Sequence, residues 1–326
     1  MMGEYRKVQK TGNSSYIVSL PKEWCRMHNI ESGSEVYIEV DETGRLTVNP
    51  GYREPTKNEF VLSIENDYPE LIFRKLISVY LSGYDTIIVH EKPYLTEKTK
   101  SVVNKFVLNT IGLEIVEETS DRIVLQNISN MNELNSEKLL RRLYHILENM
   151  VMDTVSVLEK YDENLARDII ERDMHIDRIL YSITKQLYMF LKHPSIAMQS
   201  DMRLKTIMDI RFAAKYMERM GDHLVNIVSL SPLPEYLGKE ISEFLKSMKK
   251  NLDDVFYSFV NCRIDNANSM IEDTREKTKN IKMKMDELKC NGSPKVILAY
   301  ESIYRIGMYI TDFAETVMDE CIDRNI

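Results

Sequence analysis

The first fifty residues alternate apolar and polar side chains with a period of two, which is the pattern of half-buried strands. Four segments follow this pattern: Tyr5–Gly12, Ser14–Leu20, Ser34–Val40 and Arg45–Pro50. A short helix is predicted from Pro21 to near Asn29, because proline suits the first helical turn, where a backbone N–H has no partner. Strands this short bury little surface, so we expect residues 1–50 to form a domain that completes its core against a second chain.

A different pattern covers residues 56–130. Strands are predicted at FVLSIE, DTIIVHE, LEIVEE and RIVLQN, and helices at Pro69–Ser82 and after Thr96. Gly83 and Gly112 stand where helices should end. The order strand-helix-strand-helix-strand-strand predicts a small α/β domain, which we class as ferredoxin-like and interpret as a connector.

From residue 134 to 326 the apolar positions recur with the helical period of 3.6. Breaks are expected near Asp162, His193-Pro194, Ser231–Pro234, Asn261 and Gly292–Pro294. Ser293 as N-cap with Pro294 at the first helical position is a clear start signal. The breaks predict six helices in two sets of three. The fold class is therefore a multi-domain α+β protein: a small β domain, an α/β connector and an all-α body of two three-helix bundles.

The two sets of helices share a motif around Arg-x-Gly. The first copy reads ERMGDHLVNI, residues 218–227, and the second reads YRIGMYITDF, residues 304–313. Such self-similarity indicates an internal duplication. The two copies differ at the acids, because Tyr304 and Met308 occupy the places of Glu218 and Asp222.

Four carboxylates of the first set are candidate metal ligands. Asp173 and Asp177 lie four residues apart on one predicted helix, as do Glu218 and Asp222 on the next, and residues at this spacing share a helix face. If the helices pack antiparallel, the four acids converge, and clustered negative charges call for a cation. Oxygen ligands favour iron(III), manganese, magnesium or calcium over zinc. His175 and His223 are left out, since each is one residue away from an acid and points elsewhere.

The ordinary interpretation of such acids is a solvated helix face. Aligning Ala166 with Ala267 places Thr274 at the position of Asp173 and Thr278 at that of Asp177. The second set therefore lacks all four acids at once. Joint loss favours a shared ligand shell over a solvated face, so a metal site is predicted in the first set only.

The helical region resembles the PhoU family of phosphate-uptake regulators, over about residues 134–324. The resemblance is carried by MDIRFAAKYMERMGDHLVNI and by the E/D-x-x-x-D spacing. It implies two three-helix bundles with metal clusters on the bundle surface, here at Asp173, Asp177, Glu218 and Asp222, with iron first among the metals. It also implies partners among phosphate transporter or sensor-kinase components. The second bundle departs from the family pattern, so one metal site per chain is expected.

The opening segment resembles the AbrB/MazE/SpoVT-type swapped-hairpin DNA-binding domains, through RKVQKTGNSSYIVSLPKEW and NIESGSEVYIEV. The resemblance implies a homodimer, or a higher homo-oligomer, on double-stranded DNA. Basic side chains related by a two-fold axis neutralise phosphates at two places on a duplex. The candidate DNA-binding residues are Arg6, Lys7, Lys10, Asn13, Ser14, Ser15, Lys22 and Arg26.

Charge leaves two interpretations of this domain open. Its seven acidic residues outnumber its six basic ones, which favours a domain that only dimerises. The charges are segregated, however: before Lys22 only Glu4 is acidic, and most acids follow. This segregation favours DNA binding.

Composition argues against several other classes of protein. The net charge of −8 over 326 residues argues against a wholly basic nucleic-acid coat. Cys25, Cys262, Cys290 and Cys321 are widely spaced, so neither a zinc knuckle nor a disulfide framework is indicated, and a reducing cytoplasm is expected. No segment approaches the ~18 apolar residues of a membrane helix, and no signal sequence is evident.

The sequence thus predicts a cytoplasmic regulator without enzymatic activity. Its expected function is phosphate-responsive transcriptional regulation, with a DNA-binding head and a metal-binding body. The alternative is a modulator of a phosphate transporter or its sensor kinase, in which the head only dimerises. A metal-dependent hydrolase is disfavoured, since the acids lie on a convex bundle with no cleft or general base.

Overall fold

The computed structural model describes residues 4–12, 15–40, 46–50, 58–128, 135–192, 203–288 and 293–324. The chain divides into two compact units, residues 1–58 and residues 59–326. The first unit is called the head below. The second unit contains the α/β connector and the helical body.

The head consists of two antiparallel hairpins and one short helix. Its elements are β1 (Gln9–Thr11), β2 (Ser15–Ile17), α1 (Lys22–Met27), β3 (Val36–Val40) and β4 (Leu46–Pro50). β1 pairs with β2, and β3 pairs with β4. None of its described residues is buried. The period-two pattern therefore predicted these strands correctly. Within this chain, their described residues form no core.

One face of the second hairpin is apolar. In β3, Val36, Ile38 and Val40 point to the same side, since strand side chains alternate. Their cross-strand partners in β4 are Pro50, Val48 and Leu46. Ile38, Val40 and Leu46 are more than half exposed. A contiguous apolar hairpin face that is open to solvent is typical of an association surface.

The connector is a four-stranded sheet with two helices. Its elements are β5 (Glu59–Ile64), α2 (Pro69–Leu81), β6 (Thr86–Glu91), α3 (Glu97–Leu108), β7 (Leu113–Glu118) and β8 (Arg122–Asn127). The sheet order is β5-β6-β8-β7, and β5 runs parallel to β6. The predicted α/β class and element order are confirmed. The strand order is not the ferredoxin-like one, because α2 returns the chain to a parallel neighbouring strand and β7 and β8 form a terminal hairpin.

The connector core lies between the sheet and its helices. Fully buried Ile87 and Val89 of β6 face Tyr80 of α2 and Phe106 of α3, whose rings meet edge to face at 6.3 Å between centroids. Gly83 and Gly112 have φ angles of 80° and 79°. This left-handed conformation is easily adopted by glycine, and it ends α2 at the predicted place.

The helical body contains six helices within the described residues. They are α4 (Ser136–Glu159), α5 (Glu163–Lys192), α6 (Leu204–Ser229), α7 (Glu235–Asn261), α8 (Ile264–Leu288) and α9 (Pro294–Arg324). The predicted start at Pro294 and the breaks near Asp162, Ser231–Pro234 and Asn261 are confirmed. The breaks predicted at His193-Pro194 and Gly292 lie outside the described residues. No helix in the described part of the chain is long and apolar enough to cross a membrane.

Packing confirms the internal duplication. Buried apolar positions of α6 recur in α9 at an offset of 86 residues: Met217 with Ile303, Met220 with Ile306, Leu224 with Ile310 and Ile227 with Phe313. At the start of α5, Ala166 donates its N–H to the carbonyl of Asp162, and at the start of α8 Ala267 donates to that of Arg263. This agreement supports the alignment of Ala166 with Ala267.

A row of cations on α5 fixes the connector to the body. Arg178, Lys185 and Lys192 are seven residues apart, so they share one stripe of the helix. Arg178 donates to the carbonyl of Thr110 at 3.2 Å, just beyond α3, and Lys192 donates to the carbonyl of Ser82 at 2.5 Å, just beyond α2. Carbonyl groups at helix C-termini carry partial negative charge and attract cations.

The cysteine prediction was wrong. Cys262, at the end of α7, and Cys321, near the end of α9, form a disulfide with Cα atoms 5.0 Å apart. Their separation of 59 positions hides the pairing in the sequence. Only the return of α9 along α8 brings the two sulfurs together.

Candidate functional site

α5 and α6 bring the four predicted acids to one place. Leu187 and Phe190 of α5 pack with Ile207 at the start of α6, whereas Asp173 lies against Gly221 near its end, so the two helices are antiparallel as expected. A Cβ atom at Gly221 would lie 3.4 Å from Oδ1 of Asp173. The glycine therefore allows the helices to approach closely at the level of the acids. Asp173, Asp177, Glu218 and Asp222 together are called the acidic patch below.

The two α6 acids are paired with cations of their own helix. Lys215 Nζ lies 2.7 Å from both carboxylate oxygens of Glu218. Arg219 Nη1 lies 3.2 Å from Asp222 Oδ2, and its Nε lies 3.7 Å from Glu218. Glu218 is almost completely buried, and Asp222 is about one-third exposed. The i,i+3 spacing of both pairs was visible in the sequence, but our sequence analysis did not use it.

The two α5 acids are not matched in this way. Oδ1 of Asp173 is buried and has no hydrogen-bond partner among the described residues. Burial, reinforced by Asp222 and Glu218, raises the pKa of Asp173 to about 6. Burial, reinforced by Asp173, Glu218 and Asp222, raises the pKa of Asp177 to about 7. The patch therefore holds protons near neutral pH that isolated carboxyl groups would lose.

The chemistry of the patch suits a hard cation, although its present arrangement is not closed around one. Four carboxylates and an orphaned carboxylate oxygen are the donors that oxygen-seeking metals use. Among the residues that the structure describes, no group of three or more His, Cys, Asp and Glu side chains is arranged to hold a metal ion. The reason is visible at Glu218 and Asp222, which turn to Lys215 and Arg219.

Neither neighbouring histidine belongs to the patch. His175 is exposed, and the ring of His223 stacks on Tyr309 of α9 at 5.9 Å. Burial lowers the pKa of His223. Tyr181, which sequence reasoning missed, does adjoin the acids: burial, followed by the charges of Asp177 and Glu218, raises its pKa to about 12.

The second set has a packed, neutral surface at the equivalent position. Thr274 and Thr278 are buried, and a Cβ atom at Gly307 would lie 2.5 Å from Cγ2 of Thr278. Asn251 donates to the Thr274 hydroxyl at 2.8 Å, and the Thr278 hydroxyl donates to the Thr274 carbonyl. Threonine side chains therefore fill the space that carboxylates occupy in the first set, and their hydroxyl groups are already hydrogen-bonded.

The head presents its basic residues on the surface. Arg6, Lys7, Lys10, Lys22 and Arg26 are all exposed or nearly so, as is Ser15. Asn13 and Ser14 lie outside the described residues. Arg6 forms an ion pair with Glu4 and lies 3.4 Å from the Ser19 hydroxyl. Lys22 and Arg26 are four residues apart on α1, so they share a helix face.

Comparison with known proteins assigns both regions. Residues 140–230 match the PhoU domain, and this span falls within the first set of three helices. Residues 9–59 match the family described as antidote-toxin recognition MazE, bacterial antitoxin. The chain therefore joins an N-terminal segment similar to MazE antitoxins to a helical body whose first set of helices is similar to the PhoU domain.

Curated relatives share the body. The phosphate-specific transport system accessory protein PhoU homolog of Clostridium acetobutylicum is 27% identical over 210 residues, covering 58% of this chain and 91% of the relative. PhoU homolog 1 of Thermotoga maritima is 24% identical over 193 residues, covering 56% and 82%. The crystal structure of the phosphate transport system regulatory protein PhoU from Streptococcus pneumoniae aligns with a TM-score of 0.46 at 19% identity, over 56% of this chain and 91% of that chain.

Proposed function

We propose that this protein is a phosphate-responsive transcriptional regulator of the cytoplasm. The observation that carries the proposal is the union of the two domains in one chain. The body is similar to proteins named as accessory to phosphate-specific transport. The head adds a MazE-type domain that displays its basic side chains. We infer that the body receives the phosphate signal and that the head delivers it to DNA, without catalysis by either part.

Dimerisation of the head is the first step of this proposal. The apolar face of the β3–β4 hairpin is open, and no described head residue is buried within the chain. A second copy would cover this face and give the head a core. It would also place two sets of Arg6, Lys7 and Lys10 on one duplex, so that phosphates at two points are neutralised.

The acidic patch is the proposed metal site of the body. Asp173, Asp177, Glu218 and Asp222 would hold the ion, for which iron is the first candidate and manganese, magnesium or calcium the others. A bound cation supplies positive charge that offsets the four clustered carboxylates. Asp173 and Asp177, whose pKa values are raised, would release their protons to the solvent, and Lys215 and Arg219 would no longer pair with Glu218 and Asp222.

The DNA-binding step is tested by a gel-shift titration of the full-length chain against its own upstream region, with and without phosphate. The variant Arg6→Ala/Lys7→Ala should bind all sequences more weakly and lower the salt slope by about 3 to 4, because two phosphate contacts per protomer, and so four per dimer, are removed. Lys239→Ala removes an exposed lysine of the body and serves as the matched control.

A second function is favoured by the pairing of Arg6 with Glu4 and by the excess of acids in the head. In this alternative the head only dimerises, and the body modulates a phosphate transporter or its sensor kinase. Unchanged affinity of the double variant at roughly 0.1 M salt, where phosphate contacts still contribute, would exclude DNA binding by the predicted residues. The dimerising role would then be the better assignment.

The metal site is tested by elemental analysis of Asp173→Asn/Glu218→Gln. Both substitutions remove charge and keep shape, so the body should fold and its metal content should fall to background. Asp168→Asn/Glu171→Gln changes two acids of α5 outside the patch and should retain the metal. A wild-type protein that contains no metal and gains no thermal stability from excess iron, manganese, magnesium or calcium would contradict the proposal, because a bound ion must stabilise the folded state.

A further inference from the structure

The Cys262–Cys321 disulfide joins two distant points of the second set of helices. Cys262 lies between α7 and α8, and Cys321 lies in the last turn of α9. No part of the acidic patch or of the basic head adjoins this bond in the sequence. The cross-link therefore needs an explanation of its own.

The two cysteines differ in exposure. Cys321 is completely buried, whereas Cys262 is partly exposed and lines an open depression of about 500 Å³ together with Arg263, Ile264, Asp265 and Asn266. A reductant can thus approach the Cys262 side of the bond directly. Thiol–disulfide exchange depends on such access and on which sulfur is attacked.

The backbone conformation at Cys262 is unusual for a residue with a side chain. Its φ angle is 53°, in the left-handed region, and it caps the C-terminus of α7. Glycine or asparagine usually occupies this position, because a side chain makes the conformation unfavourable. A cysteine here is explained by the bond that it makes with Cys321.

The residues that precede Cys321 attach α9 to the first set of helices. Lys205 donates to the carbonyl of Asp319 at 2.6 Å, and the Thr206 hydroxyl donates to Glu320 at 3.0 Å. Burial, followed by the neighbouring carboxyl group of buried Glu320, raises the pKa of Asp209 to about 6. The end of α9 is thus held to α6 by polar contacts and to the α7–α8 junction by a covalent bond.

We propose that Cys262–Cys321 is a reversible redox modification site, which a dithiol reductant opens to release the end of α9. A thiolate of the dithiol attacks Sγ of Cys262, and the sulfur–sulfur bond breaks with its electron pair on Cys321. The Cys321 thiolate takes up a proton. The second thiolate of the dithiol then attacks the dithiol's first sulfur, which is bonded to Cys262 in the mixed disulfide. Cys262 leaves as a thiolate and is also protonated. The cystine is reduced to two thiols, and the dithiol is oxidised to a disulfide.

The test uses the full-length chain with Cys25→Ser and Cys290→Ser, so that the pair holds all remaining thiols. Free thiols are counted by alkylation and mass spectrometry after mild oxidation and after dithiothreitol under native conditions, and should change from none to two. Reduction should lower the melting temperature by roughly 5–10 °C, since a 59-residue loop is no longer closed. Amide exchange in residues 315–324 should accelerate about tenfold, with α4 unchanged.

The variant Cys262→Ser/Cys321→Ser in the same background is the control, and it should respond to neither reagent. Two free thiols after oxidation would overturn the proposal, because the bond would not form. A bond that native dithiothreitol leaves intact would overturn it as well, since a fixed cross-link is not a switch. Equal exchange rates for residues 315–324 in the oxidised and reduced forms would show that the bond does not control α9.

Discussion

The proton affinity of the acidic patch resides mainly in the two aspartates of α5. The pKa values of Asp173 and Asp177 are raised to about 6 and about 7, from an ordinary value of 3.8. A folded state with raised carboxyl pKa values binds more protons than the unfolded chain between about pH 4 and pH 7. Its free energy of unfolding therefore falls as the pH rises through this range.

Replacing Asp177 with Asn should remove part of this pH dependence. In metal-free protein at pH 8, where Asp177 is ionised, the variant should be more stable than the parent by roughly 1–3 kcal/mol, and the difference should shrink toward zero near pH 4. Urea denaturation in the presence of a chelator, at pH 4.5 and pH 8, measures both values. Glu171→Gln, an exposed acid on the same helix, should show no comparable gain. A variant less stable than its parent at pH 8 would contradict the role given to clustered charge.

Lys185, at the junction with the connector, has a lowered pKa, so its effect on stability changes with pH in the opposite direction. It is 2% exposed, its Nζ has no hydrogen-bond partner among the described residues, and it lies 4.3 Å from the centre of the Tyr80 ring. Burial lowers its pKa to about 8, from an ordinary value of 10.5. The folded state therefore gains stability as the pH rises from about 8 to about 10.5, where the unfolded chain alone stays protonated.

Lys185→Met should lose this pH dependence while keeping the volume of the side chain. At pH 7 we expect the variant to equal the parent or exceed it by about 1–2 kcal/mol, because the removed cost of a buried charge outweighs the lost contact with the Tyr80 ring. Denaturation at pH 7 and pH 9.5 gives the comparison. Lys160→Met, which removes an exposed lysine outside this row, is the control. A loss above about 2 kcal/mol at pH 7 would indicate that the charge itself fixes the connector.

At the scale of elements, the two glycines of the repeated motif differ in how closely a neighbouring side chain approaches them. A Cβ atom at Gly221 would meet Ile176 at 3.1 Å, whereas one at Gly307 would meet Thr278 at 2.5 Å. In both helices alanine would gain about 1 kcal/mol of intrinsic helix propensity. We expect Gly221→Ala to be close to neutral and Gly307→Ala to destabilise by about 1–3 kcal/mol, since Thr278 must move. Thermal unfolding of the two variants provides the ranking, and the reverse order would argue against close packing at Gly307.

The helices and strands were largely predictable because they are encoded by local periodicity. The four strands and α2 begin and end within two residues of their predicted positions, and α3 begins directly after Thr96 as predicted but ends four residues before Gly112. The convergence of Asp173 with Asp222 followed from two i,i+4 pairs on antiparallel neighbours. The parallel pairing of β5 with β6 and the Cys262–Cys321 bond depend on contacts far apart in the chain, which no local pattern encodes. The pairing of Glu218 with Lys215 depends on the side-chain rotamers of the two residues. Their spacing allows the pair, but the sequence alone does not determine the rotamers.

At the scale of the whole molecule, the open face of the β3–β4 hairpin should determine the oligomeric state. Ile38→Lys/Val40→Lys places two charges on this face and should convert the proposed dimer to a monomer, because burying unpaired lysines is costly. Thr47→Lys, on the opposite face of β4, should remain dimeric. Sedimentation equilibrium distinguishes the two states. A double variant that stays dimeric would place the main dimer contact elsewhere in the chain.

The cation row on α5 has a mechanical consequence. The helix spans 30 residues, or about 45 Å, and carries the acidic patch near its middle and the connector along its second half. Tyr181, between them, packs against the connector core, and the charges of the acids raise the pKa of its hydroxyl. Any roll of α5 that brings Asp173 and Asp177 closer to α6 must also turn Arg178, Lys185 and Lys192. A rotation of α5 about its axis would therefore move the acids and the contacts at the ends of α2 and α3 together.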